Sequence, residues 1–140
     1  MKKITFTLTM LMIALFLHAQ NYDEIKQNVM LNQYKKAKED LDKKMTNAKF
    51  ASKPEAYILK STIYAAMAAD SAVKDTPEGA TLRAESEAAF KKYREMEPNM
   101  ELAKDAPYKN ALINIYTNLF NLGYQQYENK KTAEAFETFK

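Results

Sequence analysis

The sequence predicts an all-α fold. Three observations carry that expectation. The helix formers Ala, Lys, Glu, Leu and Met dominate a chain that has only two glycines and four prolines. Apolar residues recur at helical spacing through successive segments, and no window shows sustained period-2 alternation, so no sheet is expected. At 140 residues with 46% hydrophobic and 28% charged residues, the chain is long enough and apolar enough for one domain with a core.

Composition excludes much chemistry. There is no cysteine, hence no disulfide, no thiolate zinc site and no thiol nucleophile. Gly79 and Gly123 are too few for a glycine-rich phosphate loop or a dinucleotide fingerprint. The only histidine is His18.

Residues 1–19 read as a signal peptide. Lys2 and Lys3 form a positive start, Ile4 to Leu17 a mostly apolar run, and Ala19 a small residue at the cleavage point. The run is shorter than the roughly 20 residues of a membrane span, so no span is expected after cleavage. No cysteine follows it, so a lipoprotein anchor is not expected. Loss of the leader removes Lys2, Lys3 and His18 and leaves 19 Lys+Arg against 18 Asp+Glu, a net charge of +1. A nucleic-acid surface is therefore not expected. A histidine-free mature chain has no Ser-His-Asp triad and no histidine metal site, and no enzymatic activity, cofactor or metal is expected. The predicted place of action is the periplasm or the exterior.

Residues 20–140 then read as helices in order. Asn21-Tyr-Asp-Glu24 fits a capping box opening a helix to about Asn32. Tyr34 to Met45 is a highly charged helix with Tyr34, Ala37, Leu41 and Met45 on one stripe. Its lysines interleave with Glu39, Asp40 and Asp42, which makes a solvated face the better reading. Thr46 to Ser52 is a connection. Ser52-Lys-Pro-Glu55 is a second capping box, opening a helix through Ala56, Leu59, Ile63 and Met67. Asp75-Thr-Pro-Glu-Gly79 is a loop with a helix-start signal, followed by a helix from about Thr81 to Glu97 that Pro98 ends. Asp105-Ala-Pro107 is expected to start a long helix to about Glu128, with Leu112, Ile115, Tyr116, Leu119 and Leu122 at helical spacing. After a break at Asn129-Lys130, Thr132 to Lys140 begins a last helix with Ala133, Phe136 and Phe139 apolar. Acid pairs such as Glu85/Glu87 and Glu95/Glu97 lie two residues apart and do not face each other on a helix.

These helices pair across short turns, at about 21–47, 53–98 and 106–140, and internal repetition of that length marks a solenoid. The pairs resemble the tetratricopeptide repeat (TPR) family, whose motif is W-x2-L-G-x2-Y on a first helix and A-x3-F on a second, with a proline eight residues later. Leu122-Gly123 and Ala135-x3-Phe139 match best, with Leu119 in the Trp place and Tyr127 one residue past the Tyr place. In the middle pair Tyr57 and Tyr64 occupy the aromatic places and Pro98 follows Phe90 by eight residues, while Lys60-Ser61 and Ser86 depart from the pattern. The first pair keeps Ala37-x3-Leu41.

The resemblance implies a right-handed superhelical stack of antiparallel helix hairpins, a TPR-like α-α solenoid. It resembles in design a group of exported bacterial envelope proteins. It also implies a non-catalytic interaction scaffold that binds partner peptide or protein segments in a groove. The groove places map onto Ile58, Thr62 and Ala65 in the middle pair and Phe120, Tyr124 and Tyr127 in the last. Phe120 and Tyr124 replace the Lys and Asn of the family's carboxylate clamp, so that clamp is not expected. The alternatives are that these three aromatics pack against the following helix, and that the chain is a structural helical protein without a groove. The last pair looks truncated, since Phe136 and Phe139 would lie on a short helix with no polar helix over them. The expectation is a fragment of a longer protein, or an end that packs on a partner.

Overall fold

The computed structural model describes residues 22–139. The leader expected at 1–19, the capping residue Asn21 and Lys140 lie outside the described residues. Among those described there are helices and no strand.

Helix α1 covers residues 22–30 and α2 runs Tyr34–Met45. The turn between them passes through Asn32, which adopts the left-handed conformation that Asn tolerates. The expected stripe of α2 faces inward, with Ala37 and Leu41 buried and Tyr34 and Met45 packed at the rim. Lys38 pairs with Asp42 across one turn, and Asn28 on α1 donates to Asp40 on α2.

The connection after α2 holds a short helix, α3 (Ala48–Ala51), because the Asn47 side chain accepts from the amides of Lys49 and Phe50. Phe50 stacks on Tyr22 with ring centroids 4.4 Å apart, and the Tyr22 hydroxyl donates to the Phe50 carbonyl. Helix α4 is Pro54–Ala68. Its N-cap is Lys53, not the expected Ser52, whose hydroxyl is turned back toward α3 and donates to the Lys49 carbonyl.

Helix α5 is Pro77–Met96. It begins four residues earlier than expected because Thr76 accepts from the Gly79 amide and Pro77 sits in the first turn. Helix α6, Lys109–Glu128, starts later than Asp105. Residues Leu102–Lys104 instead form a 3-10 turn, held where the Tyr93 hydroxyl accepts from the Ala103 amide. Helix α7 is Thr132–Phe139, after a turn through left-handed Lys130.

Helix α4 sits at the centre and packs against α2, α5 and α6. Nine of its residues are buried, on all sides of the helix. Against α5 the approach is close because the facing residues are small. Ser86 donates to the Ser61 carbonyl at 3.0 Å, and the two hydroxyls lie 3.3 Å apart. Ser86, where the repeat pattern has Ala, therefore keeps the small volume and adds a satisfied polar contact.

The start of α6 is fixed by a polar knot. Glu55 on α4 accepts from the Tyr108 hydroxyl at 2.6 Å and pairs with Lys26 of α1 at 3.2 Å. Lys26 also meets Asp23 at 2.9 Å. Burial drives the Tyr108 hydroxyl far above its usual pKa, and the Glu55 carboxylate raises it further. Burial lowers the Lys26 ammonium, but Asp23 and Glu55 outweigh it and hold the group more firmly charged than usual.

Candidate protein-interaction face

Helix α6 carries charge only at Lys109 and Glu128, with none from residue 110 to residue 127. One face meets α4. Ala111 and Asn118 are buried there, and the Asn118 amide donates to the Ala65 carbonyl at 3.2 Å. At 100° per residue, Phe120 lies about 200° around from Asn118 and points away from the core.

That outward side is apolar. Ile113, Tyr116, Phe120, Tyr124 and Tyr127 follow one another at spacings of 3, 4, 4 and 3 and are 49–70% exposed. The Tyr116 and Phe120 rings stack with centroids 6.2 Å apart. Glu128 holds the Tyr124 hydroxyl above its usual pKa by accepting its hydrogen bond.

Helix α7 extends the face. It runs back along α6, with Thr138 donating to the Gln126 side chain at 2.7 Å and the Phe139 ring 6.1 Å from Phe120. Gly123 makes room for it, since a Cβ there would lie 2.5 Å from the Phe139 ring. Phe136 and Phe139 stay 62% and 53% exposed. On the other flank of α6 a cleft of about 720 Å³ separates it from the start of α5. Lys74, Arg83, Asn121 and Gln125 are among its lining residues, and Arg83 donates to the Lys74 carbonyl at 2.6 Å.

The two halves of the expected groove part company. Phe120, Tyr124 and Tyr127 lie on the open face. Ile58, Thr62 and Ala65 do not form an open groove, and Thr62 only borders a small cleft of about 230 Å³ between the α1–α2 turn and the start of α6. All three are buried, because α6 lies on that side of α4 and the Asn118–Ala65 hydrogen bond closes it. Thr62 turns its hydroxyl onto the Ile58 carbonyl of its own helix.

The expected packing residues fare individually. Ala37, Leu41, Tyr64, Gly123 and Ala135 are buried, Tyr57 and Phe90 pack against the core, and Leu122 is half-buried. Pro98 is exposed and ends α5 without packing, and Phe139 only half covers itself on Gly123. Of the apolar residues at helical spacing on α6, Leu112 and Tyr116 are exposed, because α6 turns Ala111 and Asn118 inward. Sequence reasoning left Phe136 uncovered on the last helix but did not assign Ile113 and Tyr116 to the open face. Their signal was the uncharged stretch from 110 to 127 combined with an aromatic heptad spacing.

One member of each acid pair makes an ion pair, Glu85 with Lys60 of α4 at 2.8 Å and Glu95 with Lys92 on its own helix at 3.4 Å. Among the described residues there is no group of three His, Cys, Asp or Glu placed to hold a metal ion, and no helix long and apolar enough to cross a membrane. No protein-family model, curated protein or solved structure matches the chain.

Proposed function

We propose that this chain is a non-catalytic protein–protein interaction scaffold of the bacterial cell envelope, built as a TPR-like stack of helix hairpins. The uncharged, outward-facing aromatic stripe of α6 carries the reading. Monomers rarely leave so many contiguous aromatics open, and such patches mark places where proteins meet. The succession α1/α2, α4/α5 and α6/α7, with α6 lying on α4, supports a stack of helix hairpins. The Leu122-Gly123 and Ala135-x3-Phe139 steps support the family resemblance. The leader pattern at 1–19 supports export to the periplasm or beyond, and a near-neutral mature charge supports protein rather than nucleic-acid partners.

The test is capture of partners from an envelope extract by the immobilised chain. Loss of a captured protein with Phe120→Ala and Tyr124→Ala, at unchanged helicity, is the expected result. Capture that ignores both substitutions removes the face from the argument. N-terminal sequencing of the exported form is expected to begin at Gln20. The second reading, a structural helical protein without a peptide groove, draws on the covered state of Ile58, Thr62 and Ala65. It is favoured if nothing is captured at all.

A further inference from the structure

We infer that the open face of α6 and α7 is the contact through which two copies of this chain pair, with their α6 helices antiparallel about Phe120. The inference rests on the interaction reading above and names the partner of that face.

The open face is large enough to hold such a contact. A buried aromatic side chain covers about 150–250 Å². At 49–70% exposure, Ile113, Tyr116, Phe120, Tyr124, Tyr127, Phe136 and Phe139 together present on the order of 700 Å². A stable interface needs roughly 800 Å² from each partner. One face supplies most of that without contribution from any other element.

The face is also symmetric along α6. Spacings of 3, 4, 4 and 3 read the same from either end, with Phe120 at the centre. Turning a second α6 end for end about Phe120 sets Phe120 against Phe120 of the second copy. Tyr116 then meets Tyr124 of the second copy, and Ile113 meets its Tyr127. A two-fold axis needs such a self-complementary patch.

Charge favours the same arrangement. Lys109 and Glu128 are the only charges on α6 and stand at opposite ends. Antiparallel pairing brings Lys109 within about one helical turn of Glu128 of the second copy and opposes the two helix dipoles. Parallel pairing would set lysine on lysine and glutamate on glutamate. Because Phe139 lies beside Phe120, each α7 also comes near the axis, giving four helices around an aromatic centre.

The experiment is sedimentation equilibrium of the full chain, and in parallel of the form lacking residues 1–19, from about 1 to about 100 µM. The full chain is expected to approach twice 16.1 kDa, and the shorter form twice its own, smaller mass. Phe120→Glu is expected to weaken pairing about 30-fold or more, as for an interface hot spot, with unchanged circular dichroism and a thermal midpoint that no longer rises with protein concentration. Tyr116→Lys and Tyr124→Glu are each expected to weaken it, and the double variant to restore it. The cysteine-free background adds a register test. A Tyr116→Cys chain is expected to cross-link to a Tyr124→Cys chain and not to itself. A monomer across the range, pairing that survives Phe120→Glu, or self-cross-linking of Tyr116→Cys each overturns the inference. A monomer that still captures an envelope protein through Phe120 sinks only the second copy. A monomer that captures nothing sinks the interaction reading as well.

Discussion

Gly79 and Gly123 do different work although both lie inside helices. A Cβ on Gly79 would sit 2.2 Å from the Val73 carbonyl oxygen, which is backbone and cannot swing aside. Gly79→Ala is therefore expected to destabilise by about 1–3 kcal/mol through overpacking, more than the roughly 1 kcal/mol that helix propensity returns. The urea midpoint checks this. At Gly123 the neighbour is the tip of the Phe139 side chain near the end of α7, which can turn away. Gly123→Ala is expected to leave the midpoint nearly unchanged while releasing α7.

The tyrosines set a second residue-scale expectation. Burial raises Tyr22 and Tyr93 to about 12, and raises Tyr64 and Tyr108 as well. The neighbouring carboxylates of Asp42 and Glu55 add to the rise at Tyr64 and Tyr108. The folded chain thus holds these protons more tightly than the unfolded chain, whose tyrosines titrate near about 10. Stability is expected to be intact below about pH 10 and to fall as pH rises toward about 12. Urea midpoints measured up the alkaline range, with Tyr108→Phe flattening the slope, test the sign.

At the scale of elements, α4 and α6 show how the neighbouring helices decide what a face does. On α4 the places of Ile58, Thr62 and Ala65 are closed by α6, whereas on α6 Phe120, Tyr124 and Tyr127 stay about half exposed or more, with only the Phe139 ring of α7 beside Phe120. Ile58→Ala is expected to cost about 2–4 kcal/mol, and Phe120→Ser less than about 0.5 kcal/mol in the isolated subunit, measured by denaturant unfolding. The α4–α5 contact is a sharper case. Ser86→Ala, which removes the hydrogen bond to the Ser61 carbonyl and the one between the two hydroxyls, is expected to cost about 1–2 kcal/mol. Ser86→Leu, which drives a larger side chain against Ser61, is expected to cost about 3 kcal/mol or more.

Across the whole molecule, stability is expected to grade outward from α4. Helix α4 is enclosed by α2, α5 and α6, and α7 rests on α6 at the edge. Amide exchange is expected to be slowest in α4 and fastest in α7. Equal protection in α4 and α7 would contradict this gradient. Pairing of two copies would slow α6 and α7 selectively, and Phe120→Glu would reverse that.

Much of this was legible in the residues. Helical periodicity and the scarcity of glycine determined the class, because backbone preference and amphipathic spacing act locally. Asn129-Lys130 and Pro98 marked real helix ends, and Ala37 and Leu41 were readable as core from one helix alone. Helix starts were less so. Ser52 and Asp105 have capping chemistry, but which amide a side chain reaches depends on how the preceding turn is folded. The direction each helix face points was not local at all. Nothing in α4 by itself says that Ile58, Thr62 and Ala65 are sealed, and nothing in α6 says that Ala111 and Asn118 turn inward while Leu112 and Tyr116 turn out. Sequence determined which helices form; only packing, a sum over contacts between distant segments, decided which faces are buried and which remain open to another molecule.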